Sequence, residues 1–176
     1  TPGGPAGSAV GVSTVTLHDL LTDASRQLAG ISATPRLDAE VLLAAALDRP
    51  RRYLFTWPER RPEPEQSGRF DAWLERRRTG EPVAYILGRR EFWSLDLEVN
   101  PDTLIPRPET ELLVELALEQ IPVDRPIALT DLGTGSGAIA LALAVERPQA
   151  QIVATDRSPA ALTVARCNAR RLGVHN

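Results

Sequence analysis

The stretch that most constrains this chain runs from Ile127 to Ser158, with three glycines, Gly133, Gly135 and Gly137, inside an otherwise apolar and helix-forming segment. Ile127 to Leu132 reads as a strand buried on both faces, as in a parallel sheet. The glycines allow a sharp turn and a close ligand approach to the backbone, because no Cβ intervenes. Ala138 to Val145 has the small and apolar residues of a helix packed on a sheet, and Gln151 to Thr155 returns as a second strand. Asp156 then stands at the end of that strand. In a doubly wound sheet this position lies beside the glycine loop, where a carboxylate can accept hydrogen bonds from both hydroxyls of a cofactor ribose. Strand, triplet, helix, strand and terminal acid in that order predict an adenosine cofactor. Gly133-x-Gly135-x-x-Ala138 also fits a dinucleotide fingerprint. Asp131, two positions before the first glycine, separates the two: an acid there suits a cationic amino group and disfavours a diphosphate, so S-adenosyl-L-methionine is preferred over NAD.

Upstream the pattern is helical. Thr16 with Asp19 forms a capping box, and Leu17, Leu20, Leu21, Ala24 and Leu28 follow on one face before Gly30. Thr34-Pro35 opens a second helix with the apolar face Leu37, Val41, Leu42, Ala45 and Ala46, ended by Pro50. Aromatics at Tyr53 and Phe55 are placed to plug a small bundle. A further helix from Pro64 to Thr79 turns Phe70, Trp73 and Leu74 inward. Near-alternation from Glu91 to Asn100 predicts a hairpin bending near Ser94 to Asp96. Pro106-Arg107-Pro108 holds the chain extended, and Pro108 starts a helix whose expected buried face is Leu112, Leu113, Leu116 and Ile121.

The expected organisation is a flexible tail (1–13), a helical module (14–87), a hairpin and proline-rich linker (88–107) and the start of an α/β domain (108–176). The 176 residues carry a net charge of −3, which argues against bulk binding to nucleic acid. Arg76-Arg77-Arg78 points in three directions from one helix and reads as a solvated face that complements the helix dipole. Cys167 is the sole cysteine; it excludes an intramolecular disulfide, reads as a small core residue, and makes a cytoplasmic setting the default. His18 and His175 are isolated and expected to be exposed, so no metal is predicted. No apolar run is long enough for a membrane span. Met is absent, so the chain is expected not to begin at its initiator.

Three segments together carry a resemblance: Arg90-Glu91-Phe92-Trp93-Ser94-Leu95, Leu104-Ile105-Pro106-Arg107-Pro108-Glu109-Thr110-Glu111 and Asp131-Leu132-Gly133-Thr134-Gly135-Ser136-Gly137. They resemble the HemK/PrmC family of protein-(glutamine-N5) methyltransferases, in the family's order, over residues 16–176. The resemblance implies a class I, Rossmann-like methyltransferase domain after a helical module that helps recognise peptide-chain release factors at their Gly-Gly-Gln loop. It places Asp131, Gly133, Thr134, Gly135, Ser136, Gly137 and Asp156 around S-adenosyl-L-methionine, with Asp131 near the methionine end and Pro106 and Arg107 close by. The family's Asn-Pro-Pro-Tyr motif, which binds the target glutamine, does not occur in these residues. No catalytic residue is therefore expected before Asn176, the whole protein is expected to continue by about 100 residues, and this chain alone is expected to transfer no methyl group. The alternatives are a non-catalytic protein-docking module, methylation of a ribosomal-protein glutamine, and an NAD-linked oxidoreductase.

Overall fold

The computed structural model describes residues 15–175; the tail assigned to residues 1–13 lies outside them. The chain divides into two compact units, residues 1–86 and 87–176.

The first unit is helical. Thr16 caps α1 (Leu17–Gln27) through the expected box: its hydroxyl accepts the Asp19 amide at 3.2 Å, and Asp19 accepts the Thr16 amide at 3.1 Å. The next two amides of α1 are satisfied by a loop, Leu17 bonding to the Arg60 carbonyl and His18 to that of Pro58. Leu17, Leu21, Ala24 and Leu28 are buried as the spacing predicts, whereas Leu20 is only half-buried. In α2 (Pro35–Ala46) the buried face is rotated from the expected one: Ala39, Leu42, Leu43 and Ala46 face inward, whereas Leu37 is exposed. Glu40, a charged residue that an apolar count ignores, also lies on the inward side. Its carboxylate is buried on that side between Arg36 and Arg51, at 2.8 and 2.5 Å. Leu54 plugs the bundle from α3 (Arg52–Thr56), while its neighbour Phe55 is exposed. Phe70 and Leu74 of α4 (Pro64–Arg78) are buried and Trp73 only half so.

The arginine run is more than a solvated face. Arg77 is largely buried and bonds Asp38 at 2.8 Å, with Ser32 and Thr34 donating to the same carboxylate. Arg76 makes a two-pronged pair with Glu81 at 2.7 and 2.6 Å, and Arg78 pairs with Glu75. A short helix α5 (Val83–Leu87) follows.

The second unit begins with the hairpin β1 (Arg89–Phe92) and β2 (Leu95–Glu98), paired antiparallel. Its bend is one residue earlier than expected, at Trp93-Ser94, both with positive φ (53° and 56°). Two carboxylates hold this turn: Glu111 accepts the Trp93 amide at 2.8 Å, and Glu146 accepts its indole N–H at 2.9 Å. Phe92 and Leu97 are buried in one cluster with Val114, Ile121, Leu141 and Ala142, so the hairpin is part of the second unit's core. A 3-10 turn (Pro108–Thr110) leads into α6 (Glu111–Gln120). The expected face of α6 is wrong for three of its four residues: Leu112, Leu113 and Leu116 are exposed, and Val114 and Ile121 are buried. Arg147 bonds the Leu118 and Ile121 carbonyls, which have no partner inside the helix.

Strands β3 (Ala128–Leu132) and β4 (Gln151–Thr155) pair parallel, joined through α7 (Ala138–Glu146), and α8 (Pro159–Leu172) follows. β3 is not buried on both faces. Its residues alternate between exposed and half-buried, with Leu132 80% exposed and Val153 of β4 58% exposed. Helices cover one face only among the described residues, so an apolar run that reads as doubly covered is covered once.

Candidate cofactor site

Residues 133–137 fold over the C-terminal end of β4. The amides of Gly133 and Thr134 both donate to the Thr155 carbonyl, at 2.8 and 2.9 Å, and Gly137 closes the turn by donating to Thr134 at 2.9 Å. All three glycines have positive φ: 81°, 56° and 87°. A Cβ at Gly133 or Gly135 would meet no atom within 4 Å, so these two border open space on the strand-end side. At Gly137 a Cβ would come within 3.0 Å of Leu141 Cδ1 and 3.3 Å of Ala165 Cβ. That glycine therefore serves helix packing, and the other two leave the loop's backbone approachable.

The terminal acid is tied directly to this loop. Asp156 Oδ2 accepts the Gly135 amide at 2.9 Å, and Oδ1 accepts the Ser158 amide at 2.9 Å. Hydrogen bonds from Ser158 and Gly135, then the bond and charge of Arg157, outweigh partial desolvation and hold the carboxyl below the usual aspartate range. It is an ionised acceptor whose two oxygens are already oriented, and each retains a lone-pair direction for a ribose hydroxyl. Ser158 continues the chain as N-cap of α8, accepting the Ala161 amide at 3.2 Å.

Asp131, half-buried in β3, accepts the hydroxyl of the buried Thr134 at 2.7 Å. Thr134 thus fixes the carboxylate, and Ser136 is buried beside it in sequence with its carbonyl turned inward. The structure brings Asp131, Asp156 and the five loop residues together. Pro106 is buried and Arg107 exposed, and neither supplies any of the hydrogen bonds that shape the loop.

Sequence reasoning missed Asn168, the central residue behind the loop. It is fully buried in α8, where its Oδ1 accepts the Glu98 amide at 2.7 Å. Its Nδ2 donates to the carbonyls of Glu98 at 3.0 Å and Ser136 at 2.9 Å. One amide side chain therefore pairs with the end of the hairpin and pins the glycine loop. An Asn mid-helix among alanines is the only signal of it, since its partners come from distant segments. Cys167 beside it is half-buried rather than core, and donates its thiol to Glu98 at 3.2 Å. That bond, then burial, pushes its pKa up and makes it a poor nucleophile.

These residues fit an adenosine cofactor: open backbone at two glycines, an ionised acid at the end of the second strand, and an acid two positions before the loop. A neighbouring cleft of about 150 Å³ between α7, α8 and β4 is lined mainly by alanines, leucines and other apolar residues, with Gly137 and Arg166 also in its wall. It lacks the converging polar groups that a cofactor site needs.

The comparisons agree in both units. Residues 19–88 match the PrmC N-terminal domain, and residues 125–176 match a methyltransferase domain. The chain is 51% identical to the release factor glutamine methyltransferase of Coxiella burnetii over 92% of its own length and 58% of that protein. Against the Vibrio cholerae protein of the same name the identity is 53%, over 92% of this chain and 57% of the relative. Against that of Pseudomonas aeruginosa it is 59%, over 82% and 52%. The chain spans somewhat more than half the length of these curated relatives. A PrmC N-terminal domain followed by a methyltransferase domain, in that order, is the arrangement this chain matches, and over most of its length it is similar to release factor glutamine methyltransferases.

Proposed function

We propose that this chain is the cofactor-binding and target-docking part of an S-adenosyl-L-methionine-dependent methyltransferase acting on the glutamine of the Gly-Gly-Gln motif in peptide-chain release factors. The observation that carries the cofactor half is the Asp156 clasp, an ionised carboxylate tied to Gly135 where the loop's backbone lies open. On this reading Asp156 holds the ribose, Gly133 to Gly137 border the cofactor, and Asp131, oriented by Thr134, faces its amino group. Pro106 and Arg107 stay at the margin. The relatives' common name supports the target half.

S-adenosyl-L-methionine, when bound, supplies an electrophilic methyl group. A glutamine amide nitrogen is a weak nucleophile because its lone pair is delocalised, so positioning must provide much of the acceleration. The 176 residues contain no Asn-Pro-Pro-Tyr segment to hold that amide. Protein ending at Asn176 is therefore expected to bind cofactor weakly and transfer nothing. The helical module, residues 14–87 on this reading, docks the protein target, and the enzyme works in the cytoplasm without metal.

Titration calorimetry with S-adenosylhomocysteine tests the cofactor half. Binding that Asp156→Ala abolishes supports the reading, and a preference for NAD overturns it. Labelled-methyl transfer by the longer protein, offered a release factor and a glutamine-bearing ribosomal protein, tests the target. Transfer to the ribosomal protein alone would replace it.

A further inference from the structure

A second polar cleft lies in the helical unit, away from the glycine loop in sequence and unused by the cofactor reading. Its volume is about 160 Å³. Its lining is mostly polar: Arg49, Arg60 and Arg61 stand around it with Tyr53 and Gln66, and the buried Leu17 and Leu47 add a smaller apolar part. Glu63 is its only acid. Most arginines of this unit are spent on carboxylates: Arg36 and Arg51 on Glu40, Arg69 on Asp48, Arg76 on Glu81, Arg77 on Asp38 and Arg78 on Glu75. Among the described residues no such ion pair ties down Arg49, Arg60 or Arg61. Two of the three are held by aromatic rings instead. The Arg49 guanidinium lies 5.6 Å from the Tyr53 ring centre, and that of Arg60 lies 5.3 Å from Trp57. Stacked guanidiniums keep their N–H donors free at the edge and lose less freedom when they bind an anion.

We propose that this cleft is a docking subsite for an acidic segment of the protein target, taking an Asp or Glu carboxylate between the arginines and its aliphatic stem onto Leu17 and Leu47. The exposed Phe55 and Trp57 nearby offer apolar contact to the residues flanking that acid. The inference rests on the reading that the target is a protein. One observation favours a peptide over single-stranded nucleic acid. The Tyr53 and Trp57 rings already carry an arginine on one face, which competes with base stacking.

The test measures binding of a labelled full-length release factor to this chain by fluorescence anisotropy, with S-adenosylhomocysteine titration and circular dichroism as controls on each variant. Arg61→Glu and Arg49→Ala together are expected to weaken release-factor binding at least tenfold while cofactor binding stays unchanged. Arg52→Glu, the same charge reversal on exposed α3 outside the cleft, is expected to change it less than threefold. If the wild-type chain binds and the cleft variant binds equally well, the subsite is refuted while the release-factor reading survives. No wild-type binding refutes the subsite as well, and the cofactor titration then judges the methyltransferase reading separately. Tighter binding of a uridine oligonucleotide, lost in the same variant, would assign the cleft to nucleic acid and overturn the proposal.

Discussion

Gly137→Ala separates the two jobs done by the glycines. At φ 87° an alanine is forced into a left-handed conformation, costing about 1–2 kcal/mol. Its Cβ also meets Leu141 Cδ1 at 3.0 Å and Ala165 Cβ at 3.3 Å. The leucine can give a few tenths of an ångström, but Ala165 sits on the backbone of α8 and cannot rotate away. Overpacking of this kind adds about 1–3 kcal/mol, for a total of about 2–5 kcal/mol. Gly133→Ala, at φ 81° with open space around it, pays the conformational cost alone, about 1–2 kcal/mol. Urea unfolding of the two variants, followed by far-ultraviolet circular dichroism, measures the difference directly. Cofactor titration should show the reverse emphasis, with Gly133→Ala placing a methyl in the space proposed for the ligand and losing affinity beyond what its stability loss explains. Equal destabilisation of the two variants would refute the packing role assigned to Gly137.

The remaining predictions concern other polar and strained sites. Asn168→Leu keeps the volume but strips partners from the Glu98 amide and the Glu98 and Ser136 carbonyls; a loss of about 2–4 kcal/mol is expected by urea unfolding. Ser94→Gly removes a non-glycine residue at φ 56° from the exposed hairpin turn and should stabilise the protein by about 0.5–1 kcal/mol in the same assay. Burial raises the Glu40 pKa, but hydrogen bonds from Arg51 and Arg36 more than offset it, so the carboxyl titrates below its ordinary range. A lowered carboxyl pKa stabilises the fold above the unfolded value and loses that contribution as pH falls through the folded one. Glu40→Gln should therefore flatten the acid limb of a stability-against-pH curve. By the same sign, cofactor affinity governed by Asp156 should hold from neutral pH through the usual aspartate range and fall only below it, as calorimetry across pH would show.

The parts legible in the sequence are those set by local backbone chemistry. A capping box needs only Thr16 and Asp19, and three glycines that require positive φ announce a loop whatever packs around it. Apolar faces were read less well. Six of ten residues in α6 are apolar or small enough to face inward, Leu112, Leu113 and Leu116 among them, so periodicity alone could not choose the side. In α2 the inward side carries the ion-paired Glu40, which an apolar count excludes, while the apolar Leu37 is left exposed. Asn168 was illegible for a different reason. Its partners lie in the hairpin and the glycine loop, and no spacing rule links residues so far apart.

That same side chain gives the second unit a shared clock for its opening motions. The Glu98 amide at the end of the hairpin is bonded to Asn168, and the Ser136 carbonyl is bonded to the amide nitrogen of the same residue. Any fluctuation that lifts α8 exposes both at once, so hydrogen–deuterium exchange at Glu98 should track the loop rather than the hairpin's own fraying. A ligand that steadies residues 133–137 would then slow exchange at the hairpin's far end without touching it.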